Sequence, residues 1–149
     1  MSTSTPLNLI DQLFPRPRHI VQDTGTHCFN EGPIVCAEIE QPIIRRSAHE
    51  VQSALKTIKV EREISEYPDK GESATVELVI DPQVAQHQGY AISITPDSIT
   101  LAGHDEAGLA YAATTFAQLI SAVGSIDALP CLTITDWPDF EKRGIMLDI

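Results

Sequence analysis

Tyr90–Leu119 reads YAISITPDSITLAGHDEAGLAYAATTFAQL, and its two halves have different periods. Over Tyr90–Thr95 and again over Ser98–Ala102 apolar and polar residues alternate, which puts Ile92 and Ile94 on one strand face and Ser93 and Thr95 on the other. Pro96-Asp97 is a link short enough to make these strands an antiparallel hairpin. From Asp105 the period lengthens. Leu109, Ala112, Ala113, Phe116, Leu119, Ile120 and Val123 fall on one side of a helix, with Asp105 as N-cap and Gly124 as its stop.

The flanks extend this pattern. Leu13–Gln22 carries two prolines at alternate positions, which suits an extended entry segment or an edge strand and breaks a helix. Short apolar pieces at Cys28-Phe29 and Ile34–Ala37, parted by Asn30, Gly32 and Pro33, predict two brief strands and a turn. Ser47-Ala-His-Glu50 has capping-box spacing, so a helix is expected over roughly Ala48 to Val60, burying Val51, Ala54, Leu55 and Ile58. Glu61–Ser73, charged and containing Pro68, Asp69 and Gly71, reads as a mobile loop leaving the core. Strands are expected at Thr75–Ile80 and Cys131–Thr135. The apolar run Gly144–Ile149 reads as a strand cut in mid-course. Helices interleaved with hairpins and no regular βαβ alternation predict an α+β fold: a mixed, largely antiparallel sheet with two helices packed on one face.

Composition narrows the function. The 149 residues fit one domain and fall far short of the ~250 of a (β/α)8 barrel, so barrel chemistry is not expected here. Ten Lys+Arg against 21 Asp+Glu give a net charge of −11, which argues against nucleic acid and against anionic membrane surfaces. No stretch is long enough to cross a bilayer, and Met1–Pro6 lacks the parts of a secretory signal, so a cytoplasmic location is expected. Cys28, Cys36 and Cys131 show no C-x-x-C spacing and are read as buried free thiols.

Each chemically suggestive group has a plainer structural reading. Asp136, Asp139, Glu141 and Asp148 have no defined carboxylate-pair spacing and are read as turn and linker residues. His104-Asp105-Glu106 sits at a helix start, where acids complement the dipole, so capping is preferred over metal binding. His19, His27, His49 and His87 lack H-x-x-x-H or H-E-x-x-H spacing and are expected mostly on the surface. Arg16 and Arg18 beside Pro17 are expected to discourage sheet-to-sheet association. Trp137 is read as packing between domains in preference to stacking on a sugar.

In order and pattern these pieces resemble the domain that precedes the catalytic barrel in glycoside hydrolase family 20, the β-N-acetylhexosaminidases. Tyr90–Leu119 is similar to that family's Y-x-L-x-I, I-x-I, A-G-x-x-Y-A, T-x-x-Q-L pattern, in which Gly108 lets the helix start lie close to the sheet while Tyr111, Phe116 and Leu119 supply core volume. Ile134–Asp148, ITDWPDFEKRGIMLD, is similar to the segment that leads into the first barrel strand, usually D-x-P-x-F-x-x-R-G-x-x-L-D. Asp139 stands where many members have a basic residue, and Trp137 where Tyr is common. The resemblance implies a sugar-binding Arg shortly after the Asp matching Asp148 and a catalytic Asp-Glu pair much later on the barrel, both beyond these residues.

The resemblance therefore implies an accessory domain over 1–136, with 137–149 as linker and truncated first barrel strand. No catalytic, cofactor-binding or metal-binding residue and no cofactor are expected. The implied partner is the catalytic barrel of the same parent chain, met through Trp137, Phe140, Arg143, Gly144, Met146 and Asp148, with glycan substrate reached only through the parent. A carbohydrate-binding module and an oligomerisation domain are the alternatives; the 5% aromatic content leaves the first little stacking surface.

Overall fold

The computed structural model describes residues 13, 16–36, 38–66, 74–84 and 86–138. Its elements in chain order are β1 His19–Thr26, β2 Ile34–Cys36, α1 Pro42–Lys56, β3 Ile64–Ser65, β4 Val76–Ile80, β5 Tyr90–Ile94, β6 Ile99–Gly103, α2 Glu106–Val123 and β7 Pro130–Asp136. Among these residues the strands form one seven-stranded sheet in the order β1-β7-β5-β6-β4-β2-β3. The β1-β7, β7-β5 and β5-β6 pairs are antiparallel. The β6-β4, β4-β2 and β2-β3 pairs are parallel. The α+β class and the mixed sheet are as expected, but half of the sheet is parallel, a feature local hairpin signals do not reveal.

The alternation read in Tyr90–Thr95 decides which face is buried. Ile20, Ile134, Ile92, Leu101, Leu78 and Cys36 stand level across successive strands and form one apolar row. Both helices pack on one another and on this face, α2 over β4–β6 and α1 over β2 and β3. Phe116, Leu109, Leu119 and Ile120 of α2 and Ile44, Val51 and Leu55 of α1 are fully buried. Each such side chain contributes about 1.5–3 kcal/mol by leaving water. The opposite face carries Ala91, Ser93, Thr100, Thr133 and Thr135, which are half-buried.

Several boundaries differ from the sequence expectation for physical reasons. The first helix starts at Pro42, not after Ser47; proline has no N–H to leave unsatisfied at a first helical position. Ile44 and Ala48 continue the apolar period upstream, so Ser47 lies inside the helix and its Oγ donates to the Ile43 carbonyl at 2.9 Å. The capping box is therefore absent, and the helix ends at Lys56. Cys28-Phe29 is not a strand, whereas β1 runs along a sheet edge as the prolines suggested. The segment from Glu61 does not simply leave the core. Ile64–Ser65 pairs with β2, and the Arg62 guanidinium donates to the Asn30 carbonyl and to Thr75 Oγ1, tying three loops together. Residues 67–73, expected to continue that loop, lie outside the described ones. Tyr111, expected in the core, is 40% exposed, because only the Ala112–Ala113 side of that turn faces the sheet. Cys36 and Cys131 are buried free thiols as expected, but Cys28 is exposed.

The start of α2 is the tightest point in the fold. Asp105 Oδ1 accepts from the Gly108 N–H at 2.8 Å, and its Oδ2 accepts from the Gln88 N–H at 3.0 Å. A Cβ on Gly108 would lie 2.0 Å from the Gly89 carbonyl oxygen, so only glycine fits. At the other end Gly124 closes the helix in the left-handed conformation with φ 70° and nothing within 4 Å of a Cβ. Thermal denaturation should separate these roles: Gly108→Ala is expected to lose at least ~2–3 kcal/mol from overpacking, Gly124→Ala only about 1–2 kcal/mol from backbone strain.

Tyr90, 4% exposed, shares a 2.7 Å hydrogen bond with Thr115 Oγ1. Burial pushes its phenol up to about 12, helped by the Asp136 carboxylate and opposed by the Thr115 bond. The raised folded value means that stability is fully present below the unfolded phenol's pKa near ~10 and is lost as pH rises toward 12. Denaturant titrations should lose on the order of 2–3 kcal/mol over that interval, and Tyr90→Phe should remove that component.

Candidate functional site

The carboxylates that the sequence offers do not form a catalytic pair among the described residues. Asp136, at the end of β7, accepts from the Arg18 backbone N–H at 3.2 Å and lies 3.9 Å from Arg18 Nε, a strand-end role in line with the linker reading. Asp139, Glu141 and Asp148 lie outside the described residues, as do Phe140, Arg143, Gly144 and Met146. An open groove between the outer faces of the helices is lined by Glu50, Ser53, Thr57, Ala117 and Ser121. Its carboxylate, Glu50, accepts from Thr114 Oγ1 at 3.4 Å, and it has no second acid for two-carboxylate glycoside chemistry.

The best-built polar constellation is where the first strand meets the last. The His19↔Thr135 register brings Arg18 beside Asp136 and Trp137. Arg18 Nε donates to the Trp137 carbonyl at 3.0 Å, and its guanidinium carbon lies 4.8 Å from the centre of the indole ring. The His19 ring adds a tilted contact at 5.6 Å. Trp137, the one barrel-interface candidate within the described residues, is thus half-buried against its own domain. Arg18 also has a use that the sequence reading missed. No local signal announces it, since the partners are 118 positions apart and meet only through the β1-β7 pairing.

The histidines divide. His27 is buried, contrary to the surface expectation; its Nδ1 donates to the Thr95 carbonyl at 2.7 Å, its ring meets Phe29 edge-on, and its Nε2 has no partner among the described residues. Asp105 caps α2 as expected. His87 and His104, far apart in sequence, stand beside it.

Because the chain has a single tryptophan, its fluorescence reports on the Arg18 clamp. Arg18→Ala is expected to shift Trp137 emission to the red and make it easier to quench with iodide, while lowering stability by only about 1 kcal/mol, since the pair is partly exposed.

A family model described as glycosyl hydrolase family 20, domain 2, matches residues 11–137. The chain is 36% identical over 67 residues to an N,N'-diacetylchitobiase of Vibrio harveyi, a match covering 45% of this chain and 8% of that protein. It is 32% identical over 77 residues to a beta-hexosaminidase of Akkermansia muciniphila, covering 50% of this chain and 16% of the relative. Among solved structures it is similar to a GH20 exo-β-N-acetylglucosaminidase from Vibrio harveyi in complex with N-acetylglucosamine, with a TM-score of 0.66 at 17% identity, over 91% of this chain and 20% of that one. The matches thus span a small part of each relative's length.

Proposed function

We propose that this chain, which belongs to glycosyl hydrolase family 20 as a domain 2 member, supports a catalytic barrel in the same polypeptide and has no hydrolase activity of its own. The observation that carries this reading is a coincidence of boundaries. The family match ends at residue 137, the residue whose carbonyl and ring Arg18 holds. A clamp there fixes where the chain leaves the domain, which is what a scaffold needs in order to orient its neighbour. Trp137 and the residues that follow it then form the segment that meets the barrel, with 137–149 as linker and first barrel strand. From the relatives named a chitobiase and a beta-hexosaminidase, the whole protein is read as a hydrolase of terminal N-acetylhexosamine, with the glycan bound by the barrel.

A carbohydrate-binding role has less support. Tyr111 on α2 is the large exposed aromatic among the described residues, and one exposed ring offers a sugar little stacking surface.

The test is hydrolysis of aryl N-acetyl-β-glucosaminide and N-acetyl-β-galactosaminide by the 149-residue chain and by the same chain continued through a barrel. Turnover is expected only in the longer protein. Turnover by the shorter chain overturns the accessory reading, and its absence from both overturns the hydrolase reading.

A further inference from the structure

The turn between β4 and β5 hooks back over the start of α2. The Gly89 N–H donates to the Gln86 carbonyl at 2.6 Å, Gln88 takes a φ of 62°, and the His104 N–H donates to the Gly89 carbonyl at 2.9 Å. Together with the Gln88 bond to Asp105, these contacts fix the backbone that carries His87 and His104 on either side of the Asp105 carboxylate. His87 Nδ1 lies 3.3 Å from Asp105 Oδ2, and the two imidazole centres are 6.1 Å apart at 78°. One donor atom from each of the three side chains falls within 4.8 Å of the others.

We propose that His87, His104 and Asp105 bind one divalent transition-metal ion of the Zn2+ or Ni2+ type, with its remaining positions open to water. Two imidazoles and one carboxylate are a donor set that such ions prefer and that Mg2+ and Ca2+, which favour oxygen ligands, do not. Ligand distances near ~2.0–2.1 Å require the three donors to draw closer. The exposed His87 ring, with side-chain exposure of 57%, has room to rotate inward. The surroundings are arranged as around a ligand histidine. His104 Nδ1 lies 3.3 Å from the Val84 carbonyl, and a proton donated there leaves the lone pair on Nε2. Asp105 can bind without releasing the helix, because Oδ1 serves the Gly108 N–H while Oδ2, 3.3 Å from His87 Nδ1, accepts from the Gln88 N–H with one lone pair and keeps a second for the ion. The positive end of α2 opposes a cation, while Asp105, Glu106 and the −11 net charge offset it.

Calorimetric titration of the untagged, reduced chain in a Cys28→Ser background, which removes the exposed thiol, tests the site. One equivalent of Zn2+ and of Ni2+ is expected to bind and to raise the melting temperature, with no response to Mg2+ or Ca2+. His87→Ala and His104→Ala should each weaken binding at least tenfold, while His49→Ala leaves it unchanged. Asp105→Asn, which keeps an N-cap acceptor for Gly108 and gives up the one for Gln88, should weaken binding at some cost in melting temperature while the helical circular dichroism signal persists, so that loss of the site is distinguished from loss of the helix. No saturable Zn2+ binding, equal binding of Ca2+, or unchanged affinity in the folded histidine variants overturns the proposal.

Discussion

Both oxygens of the Asp105 carboxylate are committed, one to the first turn of α2 and the other to the turn that feeds β5. This pair of hydrogen bonds accepted from two backbone N–H groups sets the distance between helix and sheet, and the glycine at 108 lets the two backbones meet there. The rest of the architecture follows. With α2 fixed over β5 and β6, Phe116, Leu109 and Leu119 have one apolar row to fill, and α1 packs on the flank that remains over β2 and β3. A charged hydrogen bond at a helix N-terminus is among the stronger polar contacts available, because the dipole and the orphan N–H groups act together.

The part of this fold that could be read from sequence is the part made by near neighbours. Tyr90–Val123 declared its hairpin, its N-cap and its left-handed stop because each depends on residues a few positions apart. The first helix was misplaced for the same reason. Ser47 and Glu50 mimic a capping box locally, and only burial of Ile44 and Ala48 against the sheet shows that the helix is already under way. The edge position of β1 is legible from Pro15 and Pro17, but the parallel pairs and the identity of β7 as its partner are not, since they are set by which distant strands share a core row. The candidate site divided similarly. Trp137 was visible as an isolated aromatic beside a linker, whereas its grip by Arg18 and the meeting of His87 with His104 are products of tertiary pairing.

As a module, the domain presents polar groups that are mostly spent on its own architecture. Asn30, Arg62 and Thr75 bond one another and the loops around them, Asp136 holds Arg18, and Glu50 holds Thr114. Groups consumed in this way fix geometry and are poorly placed to move protons on a substrate, a division of labour that fits a scaffold beside a separate chemical centre.

The position of β1 has a consequence for how the domain is made. Its neighbour in the sheet is β7, the last strand of the described chain, and β7 alone connects it to β5. During synthesis the first strand therefore stays unpaired, its backbone bonded to water, until β7 has left the ribosome, while β5, β6 and α2 can already assemble. Completion of the sheet is a late event governed by the release of residues 130–136, and until then β5 is an open edge of the growing sheet.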